Sequence, residues 1–314
     1  MESVLPQEVS AEALRVRERA LSSLGSLGPS DGTAQVGAFI EQFAAVGPLD
    51  HYGHVPAAAE ATLEAVRKAG GAQAVTPFLQ AALAGAIARS IDSGAVAALP
   101  PRVRGHQLRQ FQRILRELVP EGPALNTDQD VFRKDMGLAT LRLMAAAAQL
   151  IDMRCGVPRS LLTRQDWGTA AKGLLTFAQL GGFKPYIQIH THKSYLDEFN
   201  EDGWAECYRC CAELCTAHPE LRGMFGSSWF YDPVVMEISP RLSYLQSVPR
   251  QGGAHLWYFA TGGDSIGNAT ATSPSRRKLY EEGRYVPKSY MMVWGREALI
   301  EWARLDAAAA PAAP

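Results

Sequence analysis

A chain of 314 residues with 47% apolar and 20% charged side chains can bury one large core or two of ordinary size. A formal net charge of -1 supplies no global field to draw nucleic acid or an anionic membrane, and no basic run with interleaved aromatics is present. The leading segment MESVLPQEVSAEALRVRERALSS lacks the basic-then-apolar layout of a signal peptide. The most apolar long stretch, AVTPFLQAALAGAIARSI, is too short and too polar for a membrane span, so cytoplasmic residence is expected.

Helix signals dominate the first half. Ser10 is placed to cap AEALRVRERALSSL, which Gly25 ends. GTAQVGAFIEQFAAVG follows, then PAAAEATLEAVRKAGG, with Pro in its first turn and Gly-Gly at its end. AQAVTPFLQAALAGAIARSI and PRVRGHQLRQFQRILRELVPEG read as two more helices. In the latter, Leu108, Phe111, Ile114, Leu115 and Leu118 make one apolar face, opposite a solvated basic one. MGLATLRLMAAAAQLIDMRCGVPRSLL fits either a helix or a buried strand pair, and WGTAAKGLLTFAQLGG fits a helix ended by Gly181-Gly182. Strand-like runs then appear: KPYIQIHTH, LRGMFGSSWFYD, GAHLWYFAT and SYMMVW, with DGWAECYRCCAELCTAHP and SPSRRKLYEEG as intervening helices. Of the 27 aromatic residues, 19 lie from Phe183 onward, which sets an aromatic, strand-bearing second half against a helical first half. The expected fold is α+β: a mainly helical region over 1–136, a mixed-sheet α+β catalytic domain over 137–305, and a disordered tail over 306–314.

Four of the five cysteines cluster as C-x-x-C-C-x-x-x-C. At 100° per residue, Cys207, Cys210, Cys211 and Cys215 share a side with Trp204, Tyr208, Leu214 and His218, while Asp202, Glu206, Arg209, Glu213 and Thr216 take the other. That is an amphipathic helix using Cys as a small hydrophobe, in a reducing compartment, rather than a metal knuckle.

His190 and His192 stand two apart at the end of a strand-like run, so a strand would point both imidazoles the same way. With a carboxylate they would suit non-haem iron or catalytic zinc; Asp197, Glu198, Asp232 and His255 are candidate third ligands. Without a metal, either imidazole suits general-base work near neutral pH, or both are structural polar residues at a strand end. A second group, Asp50, His51 and His54, lies in a loop. In GMFGSSWFYDP, strand alternation would put Phe225, Ser227, Trp229 and Tyr231 on one face. Met224, Gly226, Ser228, Phe230 and Asp232 would take the other, which fits either a sheet face beside a pocket or a core strand with an aromatic face. In TGGDSIGNATATSPSRRKLYEEGRY, Ser273 and Pro274 open a helix with Arg276 and Arg277 in its first turn. Free amides there, with Ser273, Ser275 and the two guanidiniums, would hold a phosphate and relieve the unfavourable placement of Arg at a helix start.

The segment SPSRRKLYEEGRYVPKSYMMVW resembles the C-terminal part of GCN5-related N-acyltransferases, where a LYEKxGF-like helix leads into a strand hairpin; Leu279, Tyr280, Glu281, Gly283 and Tyr285 carry the likeness. The resemblance covers about the last 130 residues of the chain. It implies a mixed sheet with CoA bound between splayed strands, and Tyr280 as general acid toward the departing thiolate. The family's pyrophosphate loop has its nearest counterpart in RQGGAH (Arg250–His255), which does not match fully and precedes a strand-like run. The first expectation is therefore an acyltransferase that moves an acyl group from a CoA- or carrier-linked thioester to an amine. In it His190 or His192 is the base, Tyr280 the acid and Asp232 an orienting group, with an acyl carrier protein as a candidate partner. The alternatives are a mononuclear iron or zinc enzyme built on His190, His192 and Asp197, and a non-catalytic binding protein for an apolar small molecule.

Overall fold

The computed structural model describes residues 4–45 and 51–309. They form two compact units: Met1–Asp152 with Thr191–Leu196, and Met153–His190 with Asp197–Pro314. The division falls inside a strand, not at the expected 136/137 boundary, because the Ala-rich stretch folds as a strand pair and begins in the helical unit.

The first unit carries α1 (Pro6–Ser22), α2 (Pro29–Ala44), α3 (Ala57–Gly70), α4 (Val75–Asp92), α5 (Pro101–Glu117), α6 (Asp130–Ala139) and the hairpin β1 (Met144–Ala146)/β2 (Gln149–Cys155). Its first helix starts at Pro6 rather than after Ser10. Proline fits the first helical position, and Ser10 instead donates from within the helix to Asp92 Oδ1 at 2.7 Å. Helix α4 is apolar on all sides and packs against α1, α2, α3 and α6. Together with its lead-in turn, Ala72–Asp92 is the one helix among the described residues long and apolar enough to cross a membrane, and most of it is buried in this unit. On α5, the five positions of the expected face, Leu108 to Leu118, are all buried.

The second unit carries α7 (Ser160–Thr163), α8 (Trp167–Gln179), β3 (Tyr186–His190), α9 (Glu201–Ala217), β4 (Gly223–Ser228), α10 (Val235–Ile238), α11 (Tyr244–Gln251), β5 (His255–Thr261), α12 (Asp264–Thr270), α13 (Pro274–Glu281), β6 (Lys288–Gly295) and α14 (Arg296–Ala309). Its sheet is mixed: β3 and β4 are parallel, and β6 lies between β4 and β5, antiparallel to both. Alternation sorts the side chains. Phe225 and Val293 join Phe177 and Trp257 in one apolar layer, while Trp294, next along β6, packs on Tyr208 of α9 at 5.2 Å between ring centroids. The four cysteines of α9 are buried, as the periodicity requires. Residues expected in the disordered tail extend α14 to Ala309; the last five lie outside the described residues, as does Asp50.

Candidate functional site

The C-terminal unit places a fork between its parallel strands. β3 and β4 hold register only at Ile187↔Met224 and Gln188↔Phe225, whereas β4 stays paired with β6 from Gly223↔Gly295 to Ser228↔Tyr290. The β3–β4 ladder therefore stops at Phe225, and the chain beyond it on each strand is Ile189-His190 and Gly226-Ser227-Ser228. Gly226 shapes this point. A Cβ there would lie 2.7 Å from Ile189 Cγ1 and 3.5 Å from Tyr231 Oη, so only glycine lets Ile189 lean across β4. His190, half-buried, is the last residue of β3.

The strand expected to run through Tyr231 ends at Ser228. Trp229–Tyr231 is a 3-10 turn, so Trp229 and Tyr231 leave the face assigned to them. The turn carries Asp232 into the interior, where it is 2% exposed. Its Oδ1 accepts the Val234 amide at 3.3 Å, and its carbonyl accepts Gln246 Nε2 at 2.8 Å. Burial pushes the Asp232 carboxyl above the ordinary aspartate range. Beside it Tyr285 is raised to about 12, first by burial and then by the Asp232 charge, and its buried hydroxyl has no hydrogen-bond partner among the described residues. Tyr280, on the last turn of α13, is half-buried.

The residues expected to hold phosphate have other partners. Ser273 caps α13 by accepting the Arg276 amide at 3.4 Å, and its hydroxyl lies 3.1 Å from that of Ser275. Arg276 is 3% exposed; Nε donates to Ala269 O at 2.6 Å, Nη1 donates to Ser239 Oγ at 3.2 Å, and the guanidinium lies 4.4 Å from the Trp229 ring centre. Arg277 Nη2 donates to Thr270 O at 3.3 Å and Ala271 O at 3.1 Å. Both arginines reach back to the open carbonyls at the end of α12, the negative pole of that helix. The conflict read from the sequence is thus resolved within the chain, with no anion required. The RQGGAH segment closes α11 and enters β5 and opens no helix.

The two histidines part company. β3 ends at His190, so the alternation that would have paired it with His192 does not extend that far, and His192 belongs to the helical unit. There it is fully buried; Nδ1 accepts the Ser194 amide at 3.0 Å, Nε2 lies 3.4 Å from Asp135 Oδ1, and the ring stacks on Tyr195 at 4.9 Å. An acceptor at Nδ1 leaves the proton on Nε2, facing the carboxylate. Asp197 is exposed in the other unit.

Asp135 is the centre of a cluster that sequence spacing did not mark. Arg113 grips it with Nη2 at 2.5 Å and Nη1 at 3.2 Å, and Nη1 also reaches Glu117 at 3.0 Å. Burial alone would raise the Asp135 carboxyl; the His192 contact and the Arg113 charge overcome it and hold the group below the ordinary range. Nearby, Lys134 bridges Asp130 Oδ2 at 2.5 Å and the Thr191 carbonyl at 2.7 Å. The basic face of α5, expected to be solvated, instead turns Arg113 inward, where it is 14% exposed against Asp135. The thiols of α9 carry no reactive signature: burial drives Cys211 well above the usual range and Cys215 to about 12.

No protein-family model, curated protein or solved structure matches this chain.

Proposed function

We propose that the C-terminal unit is an acyltransferase that moves an acyl group from a CoA- or carrier-linked thioester to an amine on a small molecule. One observation carries this reading: the parallel pair β3/β4 is in register over only two residue pairs, and just beyond them Ile189 packs on Gly226 beside the half-buried His190. A pantetheine arm bears amides along an extended chain, and such a chain can lie along unpaired strand edges as an added strand does. The likeness of the SPSRRKLYEEGRY segment to N-acyltransferases points the same way.

In this mechanism His190, at the end of β3, takes the proton from the amine as nitrogen attacks the thioester carbonyl. The C–N bond forms and the C–S bond breaks. Tyr280 protonates the departing thiolate and is reprotonated from solvent. Asp232 orients the reacting groups from beneath the turn after β4. His192, fully buried in the helical unit, takes no part. The five cysteines, none of them in a disulfide, fit a reducing compartment, and we place the protein in the cytoplasm.

The test is titration of the full chain with acetyl-CoA in a calorimeter, followed by thiol release in the presence of an amine panel. Saturable binding, with turnover that falls at least about a hundredfold in His190→Gln, is the expected result. No binding and no thiol release from either a CoA or a carrier-linked thioester would overturn the proposal.

A further inference from the structure

The three most exposed large apolar side chains among the described residues, Trp167 at 93%, Leu175 at 63% and Leu174 at 60%, all stand on α8. The helix is already anchored on its other side. Phe177 is buried and stacks on Phe183 at 4.2 Å between ring centroids, and a Cβ at Gly173 would lie 3.0 Å from Trp257 Cη2, so the inner face packs closely on β5. A helix packed through one face ordinarily turns charged and polar residues outward. Here Trp167, Ala171, Leu174 and Ala178, all exposed, recur at i, i+4, i+7 and i+11 and make one outer apolar stripe with Leu175 at its flank. Thr169, Lys172, Thr176 and Gln179 fall in a polar strip between the outer and inner faces. Helix α8 thus has two apolar faces and the fold uses one of them. A contiguous exposed apolar patch marks a surface of interaction.

Charge and size decide what meets it. From Gly156 to Lys184 the chain carries four basic residues, Arg159, Arg164, Lys172 and Lys184, all exposed, against one acid, Asp166. The Asp166 carboxylate is engaged at the helix start, where it accepts the Thr169 amide at 3.0 Å and the Thr169 hydroxyl at 2.6 Å. The Lys184 stem packs against Gly156, and the Arg164 guanidinium lies 4.7 Å from the Phe259 ring centre. Basic side chains therefore stand at the entry to α8 and, through Lys172, along it. A second copy of the same face would bring like charges together. A strip of 13 residues, about 20 Å long and about 10 Å wide, also falls well short of the about 800 Å² that each partner of a stable dimer buries. An anionic lipid surface matches both features. Trp and Leu enter the boundary between headgroups and acyl chains, and Lys172 reaches the phosphates from the polar strip while its stem lies along the helix. The net charge of -1 gives no long-range pull, but a local basic excess acts within about 10 Å of such a surface.

We propose that α8 is an interfacial helix that docks the C-terminal unit on an anionic lipid surface, lying in the plane of the interface with Trp167 and Leu174 inserted. At 13 residues it is too short to span a bilayer. The surface does not depend on the acyl-transfer reading.

The experiment is flotation of the full chain with vesicles of phosphatidylcholine alone and of phosphatidylcholine with about 30% phosphatidylserine. The expected result is binding to the anionic vesicles at least about tenfold tighter than to the neutral ones. Trp167→Ser, at a side chain the fold leaves in solvent, should keep the far-ultraviolet circular dichroism of the wild type and weaken vesicle binding about tenfold or more. Lys172→Gln should weaken it about fivefold. Bromine-labelled acyl chains should quench part of the tryptophan fluorescence, and that part should be lost in Trp167→Phe. No flotation with anionic vesicles, equal binding to neutral ones, or unchanged binding in Trp167→Ser would each overturn the proposal. So would a dimer in sedimentation velocity that Trp167→Ser dissolves, which would assign the face to a second copy.

Discussion

Asp135→Asn tests how the helical unit is held together. Asn keeps the shape of the side chain and removes its charge. The carboxylate is 8% exposed and its partner Arg113 14% exposed, so the substitution leaves a largely desolvated guanidinium with one remaining anion, Glu117, which is 54% exposed. Removing one member of a buried pair costs roughly 3–5 kcal/mol; the residual Glu117 contact places this case at the lower end, about 3 kcal/mol. For a unit of this size that is a fall in melting temperature of roughly 6–12 °C at neutral pH. All six tryptophans lie in the C-terminal unit, so far-ultraviolet circular dichroism is the signal to follow, with tryptophan fluorescence as the second channel. Because Asp135 is held below the ordinary aspartate range, its contribution is full above the unfolded value near ~3.9 and is lost as pH falls through the lower folded value. The gap between wild type and variant should therefore close in acid. A fall of less than about 2 °C at neutral pH, or a gap that persists undiminished at low pH, would refute the reasoning.

Native protein at pH 8 should expose at most Cys155 to a thiol reagent, since the other four are buried and burial holds Cys211 and Cys215 protonated; rapid labelling of two or more would contradict the packing of α9. Gly226→Ala should destabilise the C-terminal unit by about 1–3 kcal/mol through the contact with Ile189, read as an earlier denaturant midpoint in tryptophan fluorescence. An unchanged midpoint would mean that the strands accommodate a methyl group and that glycine does not shape the fork.

The α+β organisation was legible because its signals are local. The face Leu108 to Leu118, the capping Ser273-Pro274 pair and the cysteine-lined side of α9 each repeat at the period their element requires. The hairpin β1/β2 was legible only as one of two alternatives, because its two-residue turn contains no Gly or Asn to decide against a helix. Ala147 occupies the left-handed region at φ 48°, a conformation that alanine rarely adopts and that tertiary packing enforces here. The helix start at Ser273 was legible, but its arginines were not. An Arg in a first turn invites an anion on electrostatic grounds, and only the fold reveals that the end of α12 supplies the carbonyls instead. The Asp135 cluster draws on α5, α6 and residues 191–196, whose approach depends on tertiary structure.

These arginine contacts bear on which part of a thioester donor the C-terminal unit could recognise. Arg276 and Arg277 are bound to the chain itself, and the start of α9 is capped by the Asn200 side chain at 3.0 Å with Glu201 and Asp202 in its first turn. Two carboxylates at the positive pole of a helix satisfy its dipole and repel a phosphate, so that helix start is unsuited to a pyrophosphate. Under the acyl-transfer reading, recognition then rests on the amide-bearing arm along β3 and β4, which CoA and carrier-linked donors share. Acetyl-pantetheine, which lacks the nucleotide, should accordingly be used with a KM within about threefold of that for acetyl-CoA, a difference of less than one hydrogen bond. Steady-state kinetics with both donors measures this directly. A KM for acetyl-pantetheine about a hundredfold higher would mean that the phosphates contribute one or two charge-assisted contacts, and the arm-only account would fall.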